Sequence, residues 1–227
     1  MDDNMPDKID ILLTGVGGQG VVLAGDIIGD VALAAGYDVK KSDTLGMAQR
    51  GGSVVAHIRL GHNVASPLIP EGEVGYLLAF EKLEAARWAG YLGNNALVIY
   101  NDQAIPPLSV SRQEADYPSD EQIAHALNER TFDVFPIKGA SIAAEIGNPK
   151  TLNILMLGAF SMFMPFPPEA WKKVIKERLP EKVIDINLRA FSTGRKEVMR
   201  VMTEVAAEQE RTALEDAHEH QGGCGCG

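Results

Sequence analysis

The stretch LLTGVGGQGVVLAG, residues 12–25, constrains the fold more than any other part of the chain. The apolar run KIDILLTG is typical of a buried β-strand that stops at Gly15. The run after it has helical spacing and ends at Gly36, as at a helix C-cap. Closely spaced glycines give a strand-to-helix turn its backbone freedom, or let a ligand or another backbone approach. The sequence therefore predicts a strand, a glycine loop and a helix at the start of the fold.

Three glycines of this loop, Gly15, Gly17 and Gly20, match the G-x-G-x-x-G pattern of dinucleotide-binding proteins. Backbone N–H groups at a helix N-terminus can hold a phosphate, and glycine leaves room for it. The acidic residue expected about 20 positions further on could be Asp38 or Asp43, although Asp38 starts the next predicted strand instead of ending it. Three alternatives stay open: a bound NAD or FAD, a phosphate-bearing group of another ligand, or a tight turn with no ligand.

Further along the chain, short β-branched runs alternate with helical patterns. We predict strands in YDVKKSD, SVVAHIRLG, EVGYLLAF, NALVIYN and TFDVFPI, and helices in EKLEAARWAGYL and EQIAHALNER, with residues 102–120 as a surface excursion. Helices then dominate, and the last covers about 181–213. This order predicts an α/β fold: a doubly wound, Rossmann-like sheet with flanking helices and a helical C-terminal part. We expect one domain over residues 1–216 and a flexible tail over 217–227.

A second concentrated pattern is TLGMAQRGG, residues 44–52. Glycines on both sides of Gln49 and Arg50 indicate an exposed, specifically shaped loop between two strands. An arginine in such a loop can clamp a carboxylate or a phosphate through two hydrogen bonds; the alternative is a solvated arginine on a turn. The two loops give the candidate residues for a phosphate site: Gly15, Gly17, Gly18, Gln19, Gly20, Gln49, Arg50 and Gly51.

Together, the segments GVGGQGVVLAGDIIGDVALAAG and SDTLGMAQRGGSVVAHIRLG resemble the gamma-type subunit of 2-oxoacid:ferredoxin oxidoreductases. Within that family, GMAQRGGSVVAHIR is most similar to the beta subunit of indolepyruvate ferredoxin oxidoreductase. KTLNILMLGAF and INLRAFSTGRK fit the same family, so the resemblance runs from about residue 9 to residue 200. It implies a subunit of a complex that decarboxylates an arylpyruvate oxidatively with coenzyme A, giving an aryl-acetyl-CoA, carbon dioxide and reduced ferredoxin.

The resemblance also implies where the cofactors lie. Thiamine diphosphate, magnesium and the 4Fe-4S clusters are expected on a large partner subunit, which would pass electrons to ferredoxin, and coenzyme A is the co-substrate. The resemblance implies that the candidate residues of the two loops bind coenzyme A or its phosphates, or contact the partner subunit. No catalytic residue is then expected on this chain, and the isolated chain should be inactive. The two cysteines, Cys224 and Cys226, are too few to ligate such a cluster. Two alternatives remain: a stand-alone NAD-dependent Rossmann dehydrogenase, or a regulatory module that binds a small molecule.

The composition of the chain argues against nucleic-acid and membrane partners. A formal net charge of −10 argues against a general nucleic-acid binder. The apolar run LNILMLGAFSMFMPF is too short to span a bilayer, and the N-terminus lacks a signal-peptide pattern, so we expect a cytoplasmic protein with no membrane partner.

The C-terminal segment HEHQGGCGCG carries residue types that suit zinc. Its glycines provide no rigid scaffold, so a flexible tail with incidental metal affinity is the alternative interpretation. The candidate ligands are His218, His220, Cys224 and Cys226.

Overall fold

The predicted strands form one sheet in a computed structural model that describes residues 6–45, 52–113 and 115–222. Its order in this part of the chain is β2-β3-β1-β4-β5-β6. Strands β1, β4, β5 and β6 are parallel, whereas β3 runs antiparallel to both β1 and β2. The strands are β1 Lys8–Val16, β2 Asp38–Leu45, β3 Ser53–Gly61, β4 Val74–Ala79, β5 Leu92–Asn101 and β6 Asp133–Ile137.

The predicted α/β class is confirmed, and helices cover both faces of the sheet. The sheet is mixed, however, because the chain returns from β2 through β3 and fills the gap between β1 and β2. The described helices are α1 Val21–Ala34, α2 Lys82–Arg87, α3 Leu108–Ser111, α4 Asp120–Asn128, α5 Gly139–Ile146, α6 Leu152–Phe160, α7 Pro168–Arg178 and α8 Ile184–Gly222.

Two apolar cores lie on opposite faces of the sheet. In β1 the side chains of Ile11 and Leu13 enter the larger core, and Leu12 enters the smaller one. Such alternation is what a strand buried on both faces requires. The larger core packs the sheet against α1 and α5–α8, and the smaller core packs it against α2 and α4. The first strand is therefore central, as the sequence predicts.

Helices α6 and α8 cross with their backbones in direct contact. A Cβ atom added at Gly158 would overlap the carbonyl of Phe191, and one added at Gly194 would overlap the carbonyl of Leu155. Both glycines are thus required by the close approach of two helices. Every residue of α6 is buried, because the helix lies between the sheet and α8.

The last helix is longer than predicted. After a short 3-10 turn, α8 continues to Gly222, whereas the sequence predicts its end near residue 213. From residue 195 to residue 221 no glycine or proline interrupts the run, so nothing local ends the helix earlier. The division into a domain over 1–216 and a tail over 217–227 stays a prediction. In the described residues, no helix is both long enough and apolar enough to cross a membrane.

Candidate functional site

The glycine loop occupies residues 17–20, between the end of β1 and the start of α1. Gly18 and Gly20 have φ angles of 104° and 82°, in the left-handed region that favours glycine. Position 15 requires glycine for another reason, because the space around it is filled. A Cβ there would lie 2.9 Å from Gln19 Oε1 and 3.0 Å from the Cβ of Phe80. The predicted strand, glycine loop and helix therefore form, and each of these three glycines has its own structural cause.

The side chain of Gln19 ties the glycine loop to the end of β4. Its Oε1 accepts from the N–H of Val16 at 2.7 Å, and its Nε2 donates to the carbonyl of Phe80 at 2.7 Å. Helix α1 after β1 and helix α2 after β4 lie on opposite faces of the sheet, so this is a switch point, where dinucleotides bind in open α/β sheets. Gln19 fills the gap between the two strand ends, which disfavours the dinucleotide interpretation.

The two acidic residues weighed for a ribose contact weaken that interpretation further. Asp38 and Lys8, the first residue of β1, are both paired with Gly61 of β3, so Asp38 lies level with the start of β1. The glycine loop follows the last residue of β1, about 26 Å away at 3.3 Å per residue. Asp43 is nearer but pairs with Lys41 at 3.0 Å. Asp38 also accepts hydrogen bonds from Lys40 and from a backbone N–H, which lower its pKa.

The two loops singled out by the sequence meet in the structure. The N–H of Gly17 donates to the carbonyl of Gly52 at 2.8 Å, so the β2–β3 connection lies against the glycine loop. Gln49, Arg50 and Gly51 lie outside the described residues. Their part in a common site therefore stays a prediction.

A cavity of about 420 Å³ opens beside the glycine loop. The first residues of three helices line it, because α1, α5 and α6 all begin there. No acidic side chain is among the lining residues, although the protein as a whole is strongly acidic. The lining residues are Gly18, Gln19, Gly20, Gln103, Ile105, Ala140, Pro149, Lys150, Leu152 and Asn153. We refer to this cavity as the loop pocket.

Asn101, at the end of β5, joins three walls of the loop pocket. This residue is fully buried. Its Nδ2 donates to the carbonyl of Phe80 at 3.0 Å and to Gln103 Oε1 at 3.2 Å, and its Oδ1 accepts from the N–H of Ala140 at 3.0 Å. The Phe80 carbonyl also accepts from Gln19. One continuous network thus fixes the glycine loop, the segment after β5 and the start of α5 relative to each other.

Two polar groups are available in the loop pocket to a ligand. Asn153 is 7% exposed, and its Oδ1 accepts from the next N–H, of Ile154, at 2.9 Å. Among the described residues its Nδ2 has no acceptor; a Cβ added at Gly20 would lie only 2.5 Å from it. Lys150 is exposed, and its ammonium group makes no ion pair with any described residue. Helix N-termini, a free amide donor and a cation all favour an anion.

Sequence reasoning finds three of the ten residues that line this pocket. Gly18, Gln19 and Gly20 were predicted as site residues and do line it, whereas Gln103, Lys150 and Asn153 were missed. These residues lie on segments that only the fold brings together, and no local pattern marks them. Gly15 lies beneath the loop and Gly17 faces the β2–β3 connection.

The proposed tail site falls largely outside the described part of the chain. His218 and His220 lie within α8, but their side chains are not among those described, and Cys224 and Cys226 follow it. In the described part, no group of three or more His, Cys, Asp or Glu residues could hold a metal ion. Metal binding by the tail stays a hypothesis.

Two solved structures that share this fold come from ferredoxin oxidoreductases. The gamma subunit of a keto/oxoacid ferredoxin oxidoreductase from Geobacter sulfurreducens superposes with a TM-score of 0.66 over 86% of this chain and 99% of its own, at 19% identity. A 2-oxoglutarate:ferredoxin oxidoreductase from Magnetococcus marinus, solved with 2-oxoglutarate, coenzyme A and succinyl-CoA bound, gives 0.68 at 20% identity. That match covers 86% of this chain but 32% of the other. The fold is that of a gamma-type subunit.

Sequence comparison identifies the family. The model of the pyruvate ferredoxin/flavodoxin oxidoreductase family matches residues 10–197, and the chain belongs to this family. It is 40% identical over 190 residues to the indolepyruvate oxidoreductase subunit IorB of Pyrococcus horikoshii, covering 82% of this chain and 94% of that protein. IorB of Archaeoglobus fulgidus is 39% identical over 189 residues. The family predicted from the two loops is confirmed, and the chain is a subunit of an oxidoreductase complex.

Proposed function

We propose that the chain is the small subunit of an indolepyruvate:ferredoxin oxidoreductase. The observation that carries the proposal is the 40% identity to IorB of Pyrococcus horikoshii across 94% of that protein. The reaction is the oxidative decarboxylation of an arylpyruvate, with transfer of the acyl group to coenzyme A and of two electrons to ferredoxin. The large partner subunit holds thiamine diphosphate, magnesium and the 4Fe-4S clusters and reduces ferredoxin, and the complex works in the cytoplasm.

In this proposal the loop pocket binds the phosphates of coenzyme A. The coenzyme is an anion with a diphosphate, and the pocket offers three helix N-termini, the Lys150 ammonium group and the free Asn153 amide. Glycine at positions 18 and 20 leaves the backbone open to the ligand. These residues bind and orient the co-substrate, and the reaction itself takes place on groups held by the partner.

Steady-state kinetics of the complex, purified with its large subunit, tests the proposal. Lys150→Ala should raise the KM for coenzyme A by about 10-fold, because a charged donor contributes roughly 1.5–3 kcal/mol, with kcat changed less than about two-fold. Lys173→Ala is the matched control: its side chain is 75% exposed on α7, outside the loop pocket, and the variant should match the wild type. An unchanged KM for coenzyme A in Lys150→Ala would contradict the proposal that coenzyme A binds in this pocket.

Substrate choice is tested separately. The purified complex should reduce ferredoxin or a viologen dye with indolepyruvate in the presence of coenzyme A, and the isolated chain should not. A complex that prefers pyruvate or 2-oxoglutarate would contradict the arylpyruvate assignment. Tight NAD binding by the isolated chain would instead support the dehydrogenase alternative, against which the positions of Gln19 and Asp38 argue.

A further inference from the structure

A buried carboxylate lies just outside the loop pocket, at the start of α2. Glu81 is 1% exposed and accepts three hydrogen bonds: from the N–H of Glu84 at 2.8 Å, the N–H of Ile105 at 3.0 Å and the hydroxyl of Tyr117 at 2.5 Å. In the described part of the chain it has no ion-pair partner. The bond to Glu84 caps a six-residue helix, but the other two reach a different segment. A buried carboxylate without a cation beside it depends on such donors, because they replace the water contacts that burial removes.

Those two hydrogen bonds fasten both ends of the excursion after β5. Ile105 lies near its start and Tyr117 near its end, and both donate to the same oxygen, Oε1 of Glu81. The neighbouring Lys82 repeats the arrangement, since its ammonium group lies 3.3 Å from Asp102 and 2.5 Å from Asp120. The sequence predicts residues 102–120 as a surface excursion, and the structure shows that this excursion is closed at its base by two consecutive residues.

The fastened segment forms one wall of the loop pocket. Gln103 and Ile105 both line the cavity, and the carbonyl of Gln103 accepts from the N–H of Lys82 at 3.4 Å. Glu81 itself does not line the cavity. If its hydrogen bond to Ile105 is lost, this wall is still held by the contacts of Asn101 and Lys82 with Asp102 and Gln103, and by the hydrogen bond from the N–H of Asp102 to the carbonyl of Ile137.

We infer that Glu81 is a positioning residue for the co-substrate: through Ile105 and Tyr117 it holds the wall of the loop pocket that faces Lys150 and the glycine loop. The inference rests on the proposed function of that pocket. It assigns Glu81 no contact with the ligand. Tyr117 acts with it, since the hydroxyl donates to the carboxylate and both burial and Glu81 raise the pKa of Tyr117, which keeps the hydroxyl protonated.

The test compares Glu81→Ala and Tyr117→Phe in the purified complex. Alanine removes both acceptor oxygens, and phenylalanine removes the hydroxyl while leaving the cap of α2 intact. Each variant should raise the KM for coenzyme A about three- to ten-fold through the loss of one to three hydrogen bonds, with kcat changed less than about two-fold. Hydrogen exchange at the Ile105 amide should become faster in Glu81→Ala.

Asp10→Asn is the matched control. Asp10 is also a buried carboxylate, 4% exposed and bound to Arg59 at 2.9 Å. It lies near the start of β1, whereas the loop pocket lies beyond the end of that strand. The Asp10→Asn variant should have a lower melting temperature and an unchanged KM for coenzyme A. The inference is overturned if Asp10→Asn raises that KM as much as Glu81→Ala does, or if exchange at Ile105 is unchanged in Glu81→Ala.

Lys150→Ala separates the two proposals. A raised KM in Lys150→Ala with an unchanged KM in Glu81→Ala leaves coenzyme A in the pocket and rejects the role of Glu81. An unchanged KM in both variants rejects the coenzyme A site and the positioning role together.

Discussion

The N–H of Gly17 donates to the carbonyl of Gly52 at 2.8 Å, and this hydrogen bond joins the two loops that stand out in the sequence. One loop follows the first strand and the other connects the second strand to the third. They meet because β3 lies directly beside β1 and begins level with the last residue of β1, since Ser53 is paired with Val16. The glycine loop therefore contacts Gly52, the last residue before β3, through Gly17 and lines the loop pocket with Gly18, Gln19 and Gly20.

Gln19→Ala should destabilise the protein by about 1–3 kcal/mol, because it leaves the buried N–H of Val16 without its acceptor. Gln19→Glu should be at least as harmful, since a carboxylate oxygen would then face the carbonyl of Phe80 in place of a donor. Urea unfolding monitored by circular dichroism measures both effects. A loss below about 0.5 kcal/mol for Gln19→Ala would show that the side chain does not hold the loop to β4.

Gly20→Ala and Gly36→Ala separate backbone strain from crowding. Both glycines have positive φ angles, 82° and 91°, so each substitution carries the left-handed penalty of about 1–2 kcal/mol. At Gly36 nothing lies within 4 Å of an added Cβ, whereas at Gly20 that atom would be 2.5 Å from Asn153 Nδ2. Gly20→Ala should therefore lower the free energy of unfolding more than Gly36→Ala and should also raise the KM for coenzyme A. Equal losses of stability would mean that Asn153 moves aside freely.

Gly158→Ala and Gly194→Ala should each prevent normal folding or cost more than about 3 kcal/mol, because the added methyl group meets backbone that cannot move without separating α6 from α8. Gly90→Ala is the comparison, since its Cβ would enter open space. Yield of soluble protein and the melting temperature measure the difference. Near-wild-type melting of either helix variant would contradict the close crossing.

His57 should make the protein less stable in mild acid. Burial lowers the pKa of His57, and its Nδ1 accepts from the N–H of Ile69 at 3.2 Å, a hydrogen bond that requires the neutral ring. In the unfolded chain the imidazole of His57 takes up a proton near pH 6.5. The contribution of the neutral ring to stability is therefore complete above that pH, and it falls as the pH decreases towards the lower pKa of His57 in the folded protein. His57→Gln should flatten the fall in unfolding free energy below about pH 6.5.

His125→Gln provides the control for this pH dependence. The side chain of His125 is 76% exposed on α4, so replacing it should change the slope of stability against pH less than His57→Gln does. If His57→Gln and His125→Gln gave the same slope as the wild type, the acid sensitivity would have to come from other groups.

The sequence by itself determined the local units of this protein. Alternation and β-branched runs place all six strands, glycines mark the turn from β1 into α1, and the two loop motifs indicate the family. These signals are local, because a strand or a helix repeats within a few residues and a left-handed turn admits few residue types. The end of α8 was missed, since no glycine or proline lies between position 213 and Gly222, where the helix ends.

Only the tertiary structure decided which distant residues act together. Asn153 lies against Gly20, and Glu81 closes the excursion that carries Ile105, although no spacing in the chain relates these residues. Their partners are set by the order of the strands in the sheet and by the faces on which α2 and α6 pack. The sequence alone does not show whether an amide or carboxylate side chain is buried or exposed. Its role follows from the donors that the fold places around it, because burial makes each unpaired polar group costly.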